Sequence, residues 1–524
     1  MRLFRMNIGQ ARVRLVLAGA ALGVATLVAG CGNNYRPVIT PFNSTGPAAQ
    51  PSSYVAVVSA PSPTTAGIAT IIDYSGDSVM AEAPVGIGPT TFTMDTTGTS
   101  GYTINRDHTL TTFPVSTSLQ EKNITYSTLP SAAAPVNVLA LSGGLWVADL
   151  DGDIVDLFGG SPETFIRSIP LAPTPVTISA STAGVERTYG ISQGTVTNDV
   201  ACNQSPTTGT AGVADAIETA TDSISGSIPL GQCPVYAVES SDAKRLFVLN
   251  RGGDATNPGG SITVINVQNN TPDSCTPFQN QAGQWVTCHP SIALPAGPVY
   301  AEFNAATQQL VVANYDSNTI SIIDVSLDEY GNDSNSYANN TCTVNGVSAY
   351  ANCGAITGGF GTTYTVPVGH NPASVTVLND GSRAYTANQT DQTVTIVNMS
   401  SHTVEKTLPV TGYPRTVVST QNSTQGKVYV ASPNSPYLTI IRTDQDIVDT
   451  TVLVEGNVVD VRVSTQNAVS GNSNSVSRIP GYGQPCNLPD LPGGYQVAGA
   501  AQGTTVEPSS SLADCQTQDA TALQ

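Results

Sequence analysis

The chain has 524 residues, a formal net charge of −19 with only 11% charged residues, and few aromatic side chains beside many glycines and prolines. This acidity repels phosphate backbones and no basic cluster offsets it, so the composition argues against nucleic acid as a partner. The abundance of turn-forming residues favours an all-β protein over a helical one.

The first thirty residues are predicted to be a signal peptide that does not belong to the fold. Arginines precede an apolar run from Leu15 to Val28, which is the pattern of a secretory signal. The run ends in LVAGC, which resembles a bacterial lipobox and implies that Cys31 is acylated and becomes the mature N-terminus. An ordinary cleaved signal and a retained transmembrane anchor are the alternatives. Lipidation would attach the protein to the cell envelope, and Gly32 favours the outer membrane.

Composition divides the chain into four segments. Residues 1–30 are the signal peptide, and residues 31–53 form a flexible tether rich in Pro, Ser, Asn and Gly. Residues 54–464 alternate β-type runs with polar turns, and residues 465–524 are predicted to be an irregular polar tail.

Prolines mark a repeat within residues 54–464. Each unit opens with a small or polar residue, a proline and an alternating apolar strand; the markers are Pro89, Pro135, Pro175, Pro234, Pro298, Pro372 and Pro414, with Val458 in the place of the proline in an eighth opening. The residue three positions past every marker is apolar, as a strand packed against a neighbouring sheet requires. After Pro372, the runs ASVTVL, RAYTAN, TVTIVN and TVEKTLPV read as four antiparallel strands joined by tight turns.

Repeats of about 40 residues with four strands each are typical of propeller blades. We therefore predict an all-β fold, a single β-propeller of four-stranded antiparallel blades. The openings predict eight blades, and seven is the alternative because the unit from Pro175 to Cys233 is the least regular. The first unit lacks an opening strand and the last, GNVVDVRVS, is an opening strand alone. The C-terminal strand is therefore expected to complete the N-terminal blade and close the ring.

Eight cysteines remain besides Cys31, an even number that suits an oxidising compartment. None has CxxC or CxxCH spacing, which argues against a zinc knuckle or a covalent haem. Sequential pairing is the simplest interpretation, and the predicted disulfides are Cys202–Cys233, Cys275–Cys288, Cys342–Cys353 and Cys486–Cys515. The second and third pairs would close insertions between the third and fourth strands of their blades.

Two stretches, LVVANYDSNTISIIDVS and AYTANQTDQTVTIVNMSSHTVEKTLPVTGYP, resemble the YVTN-family β-propeller repeat of bacterial and archaeal surface proteins. The resemblance is good from Cys233 to Gly456 and implies a YncE-like or lactonase-like propeller. It indicates the fold but leaves function open, because the family and its relatives include adhesion-type proteins, periplasmic propellers, haem-d1 domains and lactonases.

A ligand at the mouth of the predicted channel would meet side chains that flank or follow the markers. The candidate binding residues are Tyr236, Tyr300, His370, Tyr413 and Arg415. A water-filled funnel without a specific partner is the alternative. Of the residues two positions past each marker only Asp460 ionises near neutral pH, which argues against acid–base chemistry there.

The stretch ADLDGDIVD brings Asp149, Asp151 and Asp153 close together, and carboxylate oxygens suit calcium. The spacing is not that of an EF-hand, and a D-G hairpin between two strands explains the same residues. We expect no resident cofactor, with calcium at these aspartates as the alternative.

These features favour a non-enzymatic, lipid-anchored envelope propeller that binds an unidentified envelope protein or glycan through its loop insertions. A lactonase-type hydrolase is the alternative, and a cofactor-binding electron-transfer propeller is a third hypothesis. No G-x-S-x-G motif occurs in a strand–turn–helix context and no CxxCH motif occurs, which favours the binding protein.

Overall fold

The computed structural model describes residues 53–464 except for 96, 131–133, 142–143, 151, 182–186, 195–210, 241–242, 256, 268–269, 274–277, 280–284, 287–290, 326–342, 345–346, 349–360 and 421–425. They belong to the second of two compact units, Pro51–Gln524. Within these residues the chain forms strands and one 3₁₀ turn, and none of its helices could cross a membrane. The predicted signal peptide, Cys31, most of the tether and the tail lie outside the described residues.

The first third of the described chain forms eleven strands. They are β1 (Tyr54–Ala60), β2 (Ala66–Asp73), β3 (Val79–Ile87), β4 (Pro89–Met94), β5 (Ser100–Asn105), β6 (Thr109–Pro114), β7 (Thr125–Thr128), β8 (Pro135–Leu141), β9 (Gly144–Asp149), β10 (Ile154–Gly159) and β11 (Thr164–Pro170). The 3₁₀ turn, Glu121–Asn123, precedes β7.

The central part adds ten strands, several of them short. They are β12 (Pro175–Ser181), β13 (Arg187–Ser192), β14 (Ala211–Glu218), β15 (Ser223–Glu239), β16 (Arg245–Gly253), β17 (Ser261–Asn266), β18 (Thr271–Pro272), β19 (Phe278–Gln279), β20 (Trp285–Val286) and β21 (Ser291–Ala293).

The last part adds fifteen strands. They are β22 (Pro298–Asn304), β23 (Gln309–Asn314), β24 (Thr319–Asp324), β25 (Thr343–Val344), β26 (Val347–Ser348), β27 (Thr363–Pro367), β28 (Pro372–Val377), β29 (Arg383–Asn388), β30 (Thr393–Asn398), β31 (Thr403–Pro409), β32 (Thr416–Ser419), β33 (Lys427–Ala431), β34 (Tyr437–Arg442), β35 (Ile447–Leu453) and β36 (Asn457–Val463).

These strands form consecutive antiparallel sheets, which we number I to VII. Sheets I, II, III, V, VI and VII have four strands each, in the orders β36-β1-β2-β3, β4-β5-β6-β7, β8-β9-β10-β11, β22-β23-β24-β27, β28-β29-β30-β31 and β32-β33-β34-β35. Sheet IV has eight strands, β12 to β18 with β21. Two small hairpins, β19-β20 and β25-β26, stand apart. The predicted all-β architecture of four-stranded antiparallel sheets is therefore confirmed.

Sheet IV differs from the two separate units that the markers Pro175 and Pro234 predict. The strand β15 runs without a break through Pro234, so one strand ends the first unit and opens the second. The reason is that both of its neighbours are long at this point: Gln232 pairs with Ala211 of β14 on one side and with Gly253 of β16 on the other.

Strands from the two ends of the described chain pair with each other. The last strand, β36, runs antiparallel to β1, with Val461 opposite Val57 and Val463 opposite Val55. It also packs against β4 and β32, the first strands of sheets II and VII. Sheet I is thus built from both ends of the described chain, and a strand that would otherwise expose an edge is paired.

A β-bulge accompanies the marker in most opening strands. The register shifts between residues 89 and 91, 135 and 137, 175 and 177, 234 and 236, 298 and 300, and 372 and 374. The same shift occurs at Val458, because Ser59 lies opposite Val458 while Val58 lies opposite Asp460. Proline has no N–H to give to the ladder and is tolerated at bulges and edges, so the marker and the bulge belong together. Val458 therefore has the same β-bulge without a proline.

The apolar residues three positions past the markers lie in the core. Phe92, Val138, Ile178, Ala237, Ala301, Val375, Val417 and Val461 are all buried. They join hydrophobic clusters that combine residues of neighbouring sheets, as Val375 of sheet VI does with residues of sheets IV and V. The constancy of these positions in the sequence is therefore explained by packing between sheets.

In four units an asparagine near the end of the second strand is hydrogen-bonded to the start of the third strand. Its Nδ2 donates to two hydroxyls, as Asn314 does to Thr319 at 3.1 Å and Ser321 at 2.9 Å. The equivalent residues are Asn105, Asn250 and Asn388. Because all four are buried, these hydrogen bonds satisfy groups that water cannot reach.

Candidate functional site

The candidate residues Tyr236 and Tyr300 lie together inside the protein. They sit on the opening strands β15 and β22, and their ring centroids are 4.7 Å apart with an interplanar angle of 46°. Each residue is only 2% exposed. The two rings fill space between neighbouring opening strands, where the other units carry smaller side chains, so they pack rather than face solvent.

His370 lies on the surface just before β28 and is held by Asp391. The backbone N–H of His370 donates to Asp391 Oδ2 at 2.8 Å, and its ring Nδ1 lies 2.9 Å from Asp391 Oδ1. Burial acts to raise the pKa of Asp391, but the hydrogen bonds from His370 outweigh it and lower this pKa below its ordinary value. The histidine side chain is 65% exposed, so its Nε2 edge is open to solvent. This arrangement fixes the ring as an orienting carboxylate does in a general base.

Tyr413 and Arg415 flank Pro414 but occupy different surroundings. The backbone N–H of Tyr413 donates to Asn434 Oδ1 at 2.7 Å, and the residue is half-buried. Arg415 is buried, and its backbone N–H donates to the carbonyl of Ala431 at 2.9 Å. Of the five candidate binding residues, the structure brings Tyr236 and Tyr300 into contact and gives His370 the most solvent-exposed position.

Several polar side chains on the opening strands bind the next opening strand. The Oδ1 of Asn137 accepts the N–H of Ile178 at 3.1 Å, and the Oγ of Ser374 accepts the N–H of Val417 at 3.1 Å. The first strand of a sheet has an edge without a ladder partner, and these side chains satisfy N–H groups along it. Asn137 and Ser374, each two positions past its marker, therefore have a structural role.

Counting only two positions past each marker found Asp460 but missed three other charged residues on the opening strands, Arg462, Glu302 and Glu239. Arg462 and Asp460, both buried on β36, form an ion pair with an Nη2–Oδ2 distance of 2.9 Å. Buried Glu302 on β22 accepts the N–H of Val377 at 3.0 Å. Glu239 is likewise buried, on β15. Residues i and i+2 share one face of a strand, so VVDVRV could have been read as a same-face pair.

The aspartates of the candidate calcium site bind backbone N–H groups. Asp149 Oδ1 accepts the N–H of Ala134 at 2.8 Å and of Gly152 at 3.2 Å. Asp153 Oδ1 accepts the N–H of Thr174 at 2.7 Å. Asp151 lies outside the described residues. Oxygens that already accept N–H donors are poorly suited to a cation, and this geometry agrees with the hairpin interpretation.

Within the described part of the chain, no three His, Cys, Asp or Glu residues are grouped so that they could hold a metal ion. Cys233 is the single cysteine among the described residues; it is buried and disulfide-bonded. Its predicted partner, Cys202, and the other predicted disulfides lie outside the described residues.

Comparison with known proteins shows which solved structures share this fold. No protein-family model and no curated protein matches the chain. The structure is similar to apo AztD from Citrobacter koseri, with a TM-score of 0.50 and 10% identity over 78% of this chain and 97% of that chain. It is also similar to the dihydro-heme d1 dehydrogenase NirN in complex with DHE, with a TM-score of 0.50 and 11% identity over 81% of this chain and 79% of that chain. Both neighbours are β-propeller proteins.

The fold is a β-propeller. At such low identity the likeness establishes the architecture alone, because one propeller scaffold carries many unrelated functions. What this propeller binds must therefore be argued from its own residues.

Proposed function

We propose that the protein is a lipid-anchored envelope propeller of eight blades that binds an envelope protein or glycan and catalyses no reaction. In this proposal sheet IV contributes two blades that share β15, and β36 closes the ring by completing the blade of β1 to β3. The pairing of β36 with β1 and its packing against β4 and β32 support the closure.

One contrast between sister hairpins carries the binding proposal. In sheet VI the third and fourth strands, β30 and β31, are joined by the short turn Met399–His402. In sheet V the equivalent strands, β24 and β27, are separated by residues 325–362. The two sheets otherwise share strand order, marker bulge and asparagine hydrogen bonds. A long insertion that the blade does not need for folding is the natural carrier of a binding function.

A graft tests this proposal with the sister turn as its template. Residues 326–362 are replaced by Ser-Ser-His, the sequence that follows Met399, so that β24 and β27 are joined as β30 and β31 are. We expect the same thermal unfolding temperature and the loss of proteins or glycans that purify with the wild type from envelope extract. Unchanged partners in a folded graft would exclude the insertion as the binding surface.

The lipid anchor has a separate test. Radiolabelled palmitate should enter the wild-type protein and not the Cys31→Ser variant, and only the wild type should fractionate with membranes. Equal labelling of the two proteins would remove the anchor from the proposal.

A lactonase-type hydrolase is the second candidate, and the pairing of His370 with Asp391 favours it. A carboxylate on Nδ1 leaves Nε2 to accept a proton from water. A screen against lactones with and without calcium, with His370→Ala and the control His402→Ala, decides between the two. Turnover that His370→Ala alone abolishes would establish the hydrolase, and no turnover by the wild type would remove it.

A further inference from the structure

The fourth strand of five sheets, which we call the outer strand, carries a β-bulge at one equivalent position. The residue at this bulge is polar in some sheets and apolar in others. The register of the third and fourth strands skips one residue of the outer strand in each case. The skipped residues are Met80, Ile166, Ser225, Glu405 and Asp449. We call this place the rim bulge.

Three of the five rim bulges carry polar residues with local partners. Glu405 accepts a hydrogen bond from Asn398 at 2.7 Å, Ser225 accepts one from Asn270 at 3.2 Å, and Asp449 lies 3.9 Å from the guanidinium of Arg442. A polar residue is the expected occupant on the edge strand of a sheet.

Sheets I and III break this pattern with large apolar residues. Met80 is 42% exposed and Ile166 is 49% exposed, and each follows another exposed apolar residue, Val79 and Phe165. The preceding position is apolar in the other three sheets as well, as Ile224 and Val404 show, so the departure lies in Met80 and Ile166 themselves.

Sheet II connects these two apolar pairs. Tyr126 on its outer strand is 48% exposed, and its hydroxyl donates to the carbonyl of Pro84 in sheet I at 3.2 Å. On the other side, the hydroxyl of Ser127 donates to the carbonyl of Glu163, two residues before Phe165. The apolar residues of sheets I to III therefore form one strip along three neighbouring outer strands, which we call the apolar rim.

The apolar rim includes sheet I, which contains β1, the first strand of the described chain. The tether between Cys31 and residue 53 would span on the order of 25 Å as a flexible coil. An acylated Cys31 would hold the start of β1 within about this distance of the bilayer. Aromatic side chains such as Tyr126 and Phe165 favour the membrane interface, where a ring can rest on lipid while its edge stays wet.

We propose that the apolar rim rests on the surface of the membrane to which Cys31 is attached and so fixes how the propeller is turned toward it. This inference rests on the lipid anchor of the proposed function. Charges of both signs lie on the same elements, with Glu82 on β3, Glu121 and Lys122 in the 3₁₀ turn before β7 and Arg167 on β11, so the matching surface is zwitterionic phospholipid rather than an anionic one.

Tryptophan reporters at two rim bulges test the contact. The acylated full-length mature protein is reconstituted on vesicles of phosphatidylcholine and phosphatidylethanolamine with brominated acyl chains. Ile166→Trp is the test variant and Glu405→Trp, at the equivalent bulge of sheet VI, is the matched control. We expect bromolipid to quench the added fluorescence of Ile166→Trp at least twofold more than that of Glu405→Trp, with Phe165→Trp as a second reporter if Ile166→Trp does not fold.

Each outcome has a distinct meaning. Equal quenching at both positions, or none at residue 166 in protein that floats with the vesicles, overturns the rim contact and leaves the anchor intact. Wild-type protein that does not float, and behaves as Cys31→Ser does, overturns the anchor and with it the contact. Protection of residue 166 from aqueous iodide by an added protein, without quenching by bromolipid, would assign the rim to a protein partner and also overturn the proposal.

Discussion

Lys427 bonds sheet VII to sheet I, and its removal should weaken the contact between these two sheets, which we call the seam. Lys427, at the start of β33 in sheet VII, donates through Nζ to Asp77 Oδ1 at 2.6 Å and to the carbonyl of Tyr74 at 2.7 Å in sheet I. Its Nζ also lies 5.3 Å from the centroid of the Tyr74 ring. We predict that Lys427→Met destabilises the protein, because methionine retains the apolar stem and removes only the charge.

The burial of the pair sets the size of the effect. The side chains of Lys427 and Asp77 are 15% and 13% exposed, which puts them closer to buried than to surface ion pairs. Removing one partner of a buried pair costs about 3–5 kcal/mol, whereas exposed pairs contribute about 0–1 kcal/mol. With the residual exposure, we expect Lys427→Met to lower the free energy of unfolding by about 2–3 kcal/mol at neutral pH.

The loss of unfolding free energy caused by Lys427→Met should be smaller in acid, because Asp77 becomes protonated there. Burial raises the pKa of Asp77 above its ordinary value, although Lys427 pulls it down. Without the lysine this pKa rises further, so the variant is penalised where the carboxylate is charged and relieved as it becomes protonated. Lys427→Met should therefore approach the wild type as the pH falls toward the pKa of Asp77.

Urea unfolding followed by intrinsic fluorescence between pH 4 and 8 measures this loss. The matched control is Arg442→Met, because Arg442 pairs with Asp444 within one turn and both side chains are about one-third exposed. We expect a change below about 1 kcal/mol for the control. Adding Asp77→Asn to Lys427→Met should recover part of the loss. A Lys427→Met effect no larger than the control, or one that grows in acid, would refute the assignment of this pair to the seam.

Three further variants test other interactions. Asp149→Asn should raise the free energy of unfolding by about 1 kcal/mol in urea, because its oxygen can still accept the N–H groups while the charge that helps to raise the pKa of Asp156 is removed; an unchanged or lower value would contradict this. Asn314→Ala should cost about 1–3 kcal/mol by removing the donor to the buried hydroxyl of Ser321, and the same unfolding assay would exclude this role if it detected no loss. The wild type should lose unfolding free energy as the pH falls through the lowered pKa of Asp391, and His370→Ala should make this loss smaller. Identical pH dependence of the unfolding free energy in the two proteins would count against coupling between His370 and Asp391.

The strand order could be predicted because each unit repeats a local rule. A proline at a bulge, an apolar residue three positions later and an asparagine at the end of the second strand recur at similar spacing. These features depend on neighbours within about 20 residues, which a single sequence displays directly. The union of two units in sheet IV could not be predicted, because it depends on how far β14 and β16 extend beside Gln232.

The surroundings of the candidate site residues could not be predicted for a related reason. Tyr236 and Tyr300 share the same position in successive units, yet whether they line an opening or pack against each other depends on strands that are distant in the chain. The ion pair of Asp460 and Arg462 was also hidden, because a charge in an apolar strand looks equally compatible with a channel wall and with the interior. Repetition identifies equivalent positions but does not reveal what faces them.

The same repetition separates residues that serve the fold from residues that serve something else. Asn314 and Asn388 do one job in two sheets, so their chemistry is explained by the scaffold. Met80 and Ile166 occupy a place where three other sheets keep a polar residue with a partner, and folding does not require that change. Positions that depart from the repeat in this way, together with the insertion between β24 and β27, are the ones we expect to have been selected for binding or for orientation. They are therefore better targets for mutagenesis than the buried residues of the opening strands, whose loss would first disturb the blades.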